Sequence, residues 1–209
     1  EELAEAHVNL PHVDRMLGVL ERVERLVRTS LAFGRPSTPR PAAHRPADLL
    51  ATAATSVAPR TERLGGPLTV EVASGLPEVF VDDGQMVQVL VILLNNALDA
   101  AGSARRVFLC AALERPPEAH PSSRRESSRP AVRFDVRDFG PGIPSDILGR
   151  IFDPFFTTKA SGTGLGLSIA QQLAAENGAR IELDSHAGGP TTFSILVPVA
   201  AEPSPASSR

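Results

Sequence analysis

The chain has no tryptophan and no tyrosine, and aromatic residues make up only 4% of its 209 positions. With a formal net charge of -3 as well, it lacks both the stacking platforms and the basic footprint of a nucleic-acid binder, and no nucleic-acid partner is expected. A single cysteine, Cys110, excludes a disulfide framework and favours a reducing, cytoplasmic setting. Its place in the apolar run RVFLCAAL predicts a buried strand residue. No apolar stretch free of polar interruption reaches the roughly 18 residues of a membrane span. The sequence starts with neither Met nor a signal peptide, so a piece of a longer protein is expected, with any membrane attachment upstream.

Glycine is the residue that is present and concentrated. Between 138 and 168 the strings DFGPGIP, IFDPFFTTK and GTGLGLS follow one another almost without a break. Glycine reaches positive φ and has no Cβ, so main-chain N–H groups can approach an anion from angles closed to other residues. GTGLGLS runs straight into a helical pattern, which places the N–H groups of Gly164, Leu165 and Gly166 at the positive end of a helix dipole, a physical phosphate site. Lys159 just before it stands either within reach of the phosphates as a flexible point charge or in solvent as a surface lysine. Upstream, QMVQVLVILLNNALDAAG at 85–102 reads as a buried helix ending in glycine. Gln88, Ile92, Asn96 and Asp99 share a stripe of it, and Asn95 is turned about 100° away. A buried Asn96 must be bonded internally or face a ligand. Mg²⁺ suits the second option, since it is commonly shared between one protein oxygen, waters and phosphate oxygens.

The rest of the chain frames these motifs. Pro11 and Gly34 bracket a helix whose apolar positions Val13, Met16, Leu20, Val23 and Val27 step by three and four, a stripe that needs a partner. Four prolines in RPSTPRPAAHRP, 35–46, mark an extended linker. A helix over about 46–57 follows, then strands at PLTVEVA and VFVD, and RVFLCAAL after the Asn helix. The Pro-, Ser- and Arg-rich stretch 115–130 reads as a loop with solvated arginines. AVRFDVRD alternates as a strand and delivers Asp138 at its end, a position where a carboxylate either faces a pocket or caps its own turn. LGLSIAQQLAAENG is a third helix, and ARIELDS and TTFSILVPV close the sheet. The result is an α+β, two-layer sandwich of a mixed sheet with three main helices on one face, plus the N-terminal amphipathic helix. The tail 200–209 is expected to be disordered.

In this order and spacing, NNALDA, DFGPGIP, IFDPFF and GTGLGLS resemble the N box, first glycine box, phenylalanine box and second glycine box of sensor histidine kinase catalytic domains. These belong to the superfamily that includes gyrase and mismatch-repair ATPases. The resemblance covers roughly 46–199, and DPFFTTK with its short lid looks most like kinases of the nitrogen-regulation type. It implies a domain over 47–199 that binds ATP with Mg²⁺ on Asn96 and transfers the γ-phosphoryl to a histidine. It implies too that residues 1–34 are part of a homodimerising hairpin, with a response-regulator receiver domain as partner. By the same resemblance Asp138 accepts from the adenine amino group, Gly142 lets the base approach the backbone, and Thr191 assists through its hydroxyl or a water. Asp99, Gly140, Gly162, Thr163, Gly164, Leu165, Gly166 and Leu167 complete the nucleotide set, and the lid phenylalanines Phe152, Phe155 and Phe156 pack against the domain.

Two departures from the pattern stand out. None of the five histidines lies in an acceptor motif of that family; His12, followed by VDRML, begins a helix resembling the second of the hairpin, so the acceptor is expected upstream of residue 1. Relatives usually carry a polar residue one turn before the metal-binding Asn, where this chain has Ile92. The alternatives left open are a transferring kinase and a degenerate one that senses nucleotide without transfer; a gyrase-type ATPase is disfavoured by Ile92.

Overall fold

A computed structural model describes residues 38–102, 106–114, 130–159 and 162–199. The stripe within 11–34, the first residues of the linker, His7, His12, His120, the stretch 115–129 and the tail 200–209 lie outside the described residues.

The sequence dictates one core layer between a sheet and three helices. The first helix, α1 (Pro46–Leu64), opens on a proline whose missing N–H costs nothing in a first turn, and it stops at Gly65, which takes the left-handed conformation at φ 64°. Leu49, Leu50, Ala53 and Val57 recur at helical spacing and are buried. The second helix, α2 (Asp83–Ala101), buries Met86, Val89, Leu90, Leu93, Leu94, Ala97 and Leu98. It packs between α1 and the third helix, α3 (Gly166–Glu176). By length and mean hydropathy α2 could cross a membrane; here it is the core helix, lying on the sheet and touching both neighbours.

The main sheet has five strands in the order β2 (Leu68–Val72), β4 (Val107–Glu114), β5 (Ala131–Asp138), β7 (Thr191–Pro198) and β6 (Arg180–Ser185). Only β2 and β4 run parallel, joined by a crossover through α2, and the other pairs are antiparallel. Alternation puts Leu109, Phe134, Val136, Phe193 and Ile195 on the buried side. The opposite face keeps polar neighbours that satisfy one another: Arg133 donates to Asp135 at 2.8 Å and to Ser194 at 2.9 Å. The α+β class, the mixed sheet and the three main helices match the sequence expectation among the described residues.

Three details do not match. The strand at VFVD, β3 (Val79–Val81), leaves the main sheet and pairs antiparallel with β1 (Ala42–His44), so the expected linker contributes a strand. An edge offered by a distant segment recruits three residues that have no strand pattern of their own. Helix α1 runs past the expected end near 57 to Leu64, straight through Pro59; proline removes one helical bond there without ending the helix. Cys110 lies on a strand but is only half-buried, because it faces the side of the sheet that no helix covers among the described residues. Burial chiefly, then the nearby carboxylates Glu71 and Asp135, push its thiol pKa up.

Asp82 ties the incoming chain to α2. Its Oδ1 accepts the Gln85 N–H at 2.9 Å, its Oδ2 accepts the Arg40 N–H at 2.9 Å, and its own N–H donates 2.7 Å to Asn177 just beyond α3. Asp82→Ala is expected to cost about 1 kcal/mol, the usual worth of an N-cap, and to lower the melting temperature by about 2–4 °C. The backbone donors of Arg40 and then Gln85 hold the Asp82 carboxyl below its ordinary pKa. Its contribution is therefore complete above the unfolded-state value and fades as pH falls through the folded one. Melting curves of wild type and variant should stay apart at pH 7 and converge as pH falls through the folded-state value.

Candidate functional site

One stripe of α2 meets every glycine-rich segment in turn. A Cβ built at Gly166, the first residue of α3, would stand 3.5 Å from Ile92 Cγ2. One turn on, Asn96 Oδ1 accepts from Lys159 Nζ at 3.1 Å, and Asp99 Oδ2 accepts from the same ammonium at 2.8 Å. At the end of the helix a Cβ on Gly140 would lie 2.8 Å from the Ala100 carbonyl oxygen. The cleft thus runs along α2 from the start of α3 to the turn after β5.

Asp138 closes the far end. It is only 2% exposed, and its Oδ1 accepts the Gly140 N–H at 2.8 Å. Burial pushes its carboxyl pKa up, against the Gly140 N–H and the charge of Lys159. Across the strand pair from Asp138 stands Thr191, also buried. The Thr191 hydroxyl shares a 2.8 Å hydrogen bond with Ser185, whose oxygen accepts the Ile143 N–H at 3.0 Å. Ser185 and Ile143 were not singled out from sequence, since nothing local marks them.

Gly142 has a structural task of its own. At φ 70° its missing Cβ makes room for the His186 carbonyl oxygen, which a side chain would overlap. The 186–189 turn fills that space, and Gly188 N–H donates 2.7 Å to the Pro141 carbonyl oxygen across the same contact.

At the other end of the cleft, Leu165 occupies the N-cap of α3 and no side chain caps it. The first-turn N–H groups of Gly166 and Leu167 therefore have no partner within the helix. Leu165 N–H leans 3.4 Å toward Thr163 Oγ1, and Gly162 N–H donates to the Lys159 carbonyl at 3.0 Å, closing the turn. A Cβ on Gly164 would strike the Phe155 backbone, its oxygen at 2.5 Å, so the glycine-rich GTGLGLS segment touches the phenylalanine segment. Of the lid phenylalanines, Phe152 packs edge-on against Phe193 at 6.4 Å and Phe156 lies under the Arg150 guanidinium at 4.7 Å. Phe155 does not pack as expected: its φ of 68° turns the side chain outward and leaves it 73% exposed.

The polar stripe is half-open, with Asn96 partly buried and Asp99 exposed. Burial works to raise the Asp99 pKa, but Lys159 and then Arg60 outweigh it, and the carboxyl titrates below its ordinary range. Arg60, in the stretch of α1 beyond the expected helix end, donates to Asp99 Oδ1 and, at 2.5 Å, to Asn95 Oδ1. Asn95, turned off the stripe as expected, thereby faces α1. The Asn96 oxygen already takes a cation, the Lys159 ammonium, so the donor set fits Mg²⁺ carried in on phosphates. Among the described residues no group of three or more His, Cys, Asp or Glu could hold a metal alone.

A family model described as histidine kinase-, DNA gyrase B-, and HSP90-like ATPase matches residues 81–201. The chain is 37% identical over 131 residues to the sensory histidine kinase/phosphatase NtrB of Rhizobium leguminosarum bv. phaseoli, covering 62% of this chain and 34% of that protein. To the sensor kinase CckA of Brucella abortus (strain 2308) it is 38% identical over 185 residues, 85% of this chain and 19% of the relative. It therefore spans about a third of the first of these curated relatives and about a fifth of the second. The crystal structure of full-length ShkA in complex with AMPPNP superimposes with a TM-score of 0.66 at 27% identity, covering 88% of this chain and 37% of that one.

Proposed function

The chain belongs to the histidine kinase-, DNA gyrase B-, and HSP90-like ATPase family, and from that membership we propose that it is the ATP-binding catalytic part of a cytoplasmic two-component sensor histidine kinase. It would pass the ATP γ-phosphoryl to a histidine on a dimerisation hairpin, for relay to a response-regulator receiver domain. Residues 47–199 form the catalytic unit in this reading, and 1–34 belong to the hairpin through which two copies pair. The observation that carries it is the α2 stripe, which sets Ile92, Asn96, Asp99 and Ala100 against the start of α3, Lys159 and Gly140.

Each group then has a task. Asp138 accepts from the adenine amino group, beside the Thr191 and Ser185 hydroxyls. The turn leading into the uncapped start of α3, from Gly164 to Leu167, donates N–H groups to phosphate oxygens, aided by the helix dipole. Asn96 offers its Oδ1 to the cation that accompanies ATP, and Lys159 follows the phosphates as a point charge. Bound Mg²⁺ supplies neutralisation of phosphate charge and alignment of the transfer. Phe152 and Phe156 anchor the lid that keeps water from the reacting phosphoryl group.

A second reading, a nucleotide sensor without transfer, is favoured by Ile92 alone. That side chain packs partly buried against the core at the phosphate end and brings no lone pair. Both readings meet one experiment: calorimetric titration with Mg·ATP, then transfer of label from radiolabelled ATP to a separately supplied hairpin carrying an acceptor histidine. The kinase reading expects micromolar-range binding of the order usual for substrates, labelling of the hairpin and none of the isolated chain. Tight binding with an unlabelled hairpin would select the sensor; absence of ATP binding would remove both. If the missing polar group limits chemistry, Ile92→Asn should raise single-turnover transfer about tenfold, equivalent to about 1.4 kcal/mol at the transition state, with ATP affinity nearly constant. If Ile92 is only core, the buried amide lowers stability by about 1–3 kcal/mol and transfer does not rise.

A further inference from the structure

We propose that Arg60 is a positioning residue for the phosphate end of the cleft: it acts by fixing the Asp99 carboxylate that holds Lys159, and the phosphate part of this inference rests on the function proposed above. Arg60 lies on α1, outside every glycine-rich motif. Its Nη1 donates to Asn95 Oδ1 at 2.5 Å and toward the Asn95 carbonyl oxygen at 3.5 Å, while Nη2 donates to Asp99 Oδ1. Asp99 Oδ2 is left for Lys159 at 2.8 Å, and the same ammonium reaches Asn96 Oδ1 at 3.1 Å. Each Asp99 oxygen therefore serves a different cation. One belongs to a rigid helix and the other to the lid.

That division orients the carboxylate. An aspartate as open as this one, 37% exposed at its side chain, is otherwise free to rotate toward water, and a lysine bonded to a rotating partner has no fixed position. Asn95 and Asp99 are four residues apart on α2 and present neighbouring acceptors. A planar guanidinium spans two such acceptors with separate nitrogens, and an ammonium point charge does not reproduce that fork. The Asn95 end is itself anchored, since its Nδ2 donates to the Val91 carbonyl at 2.9 Å. The series Asn95, Arg60, Asp99, Lys159 thus runs from a fixed helix pair to the segment that precedes the phosphate-binding turn, and Arg60 sets where Lys159 waits.

A bond that merely pinned α1 to α2 would look alike in a stability measurement, so the test reads the lid and the coupling. Full-length wild type, Arg60→Gln, Arg60→Lys, Lys159→Met and the Arg60→Gln/Lys159→Met double variant are compared by amide hydrogen exchange without nucleotide, then by Mg·ATP titration. Without nucleotide, exchange over 157–166 should quicken about 3- to 10-fold in Arg60→Gln and in Lys159→Met, and no further in the double variant, the sign of two residues acting through one contact. Arg60→Lys should behave as Arg60→Gln. In the titration, Arg60→Gln should weaken Mg·ATP by about 3- to 10-fold when Lys159 is present and leave affinity unchanged when it is absent. Unaltered lid exchange in folded Arg60→Gln, or an equal affinity loss in both Lys159 backgrounds, overturns the positioning role. If wild type binds no Mg·ATP, the proposed function fails and the exchange measurement alone decides the role of Arg60.

Discussion

Gly142→Ala is expected to lower stability by about 3 kcal/mol or more, in the range reserved for backbone strain combined with overpacking, which for a domain of this size is a fall of about 6–12 °C in melting temperature. Two independent costs combine. An alanine at φ 70° carries the left-handed penalty of about 1 kcal/mol. Its Cβ would also overlap the His186 carbonyl oxygen and approach the Gly189 carbonyl oxygen to 2.9 Å. Relief requires the 186–189 turn to retreat, which breaks the 2.7 Å bond from Gly188 N–H to the Pro141 carbonyl. Two control substitutions separate the terms. Gly188→Ala, at φ 77° with nothing within 4 Å, should show the conformational cost alone, about 1 kcal/mol. Gly149→Ala, with open space and an ordinary φ, should change little. Equal melting temperatures for all three variants would mean that the His186 turn does not press on Gly142.

The same glycine shows where a sequence stops being legible. That 142 needs a glycine could be read from DFGPGIP, but the reason could not, because the neighbour that forbids a side chain is 44 positions away. Strand positions were readable wherever alternation is enforced by a buried face, as in AVRFDVRD and TTFSILVPV. Those patterns put Asp138 and Thr191 at adjoining strand ends, and the pairing of the two strands then brings them side by side. The stripe of α2 was readable too, since helical spacing alone places Ile92, Asn96 and Asp99 on one side. What it meets was not. Lys159 reaches Asn96 from 63 positions away, and a long flexible side chain gives no local sign of whether it will bond a neighbour or extend into water. Arg60 was hidden because it lies beyond the expected helix end near 57; in the structure the helix passes Pro59 with one bond lost and continues to Leu64. The strand Ala42–His44 exists only because Val79–Val81 offers an edge, and Phe155 is turned outward by its backbone φ, not by the hydrophobicity that suggested packing.

Under the proposed function, Asp138→Asn should leave the fold standing and weaken ATP binding. The carboxyl is buried at the end of β5, and burial raises its pKa despite the Gly140 N–H and Lys159. The folded state therefore holds that proton more tightly than the unfolded chain does. Its contribution to stability declines as pH rises from the unfolded value through the folded one, so at neutral pH the ionised group is a net cost to folding. An amide of the same shape removes this cost while its oxygen still accepts from Gly140 at the place where Oδ1 now does, 2.8 Å away. Melting should consequently be unchanged or slightly higher at pH 7. Binding responds in the opposite direction. A carboxylate offers the adenine amino group a charge-assisted acceptor worth about 1.5–3 kcal/mol, whereas Asn with its oxygen on Gly140 turns an NH₂ donor toward that donor. Mg·ATP affinity should fall by about 10- to 150-fold, since each 1.4 kcal/mol is tenfold. Guanine, which presents a carbonyl where adenine presents an amine, should lose less, so the preference for ATP over GTP narrows. Calorimetric titration with both nucleotides beside thermal melting measures all three effects. A folded variant that binds ATP as wild type does, with the same discrimination against GTP, would remove Asp138 from the adenine end of the cleft.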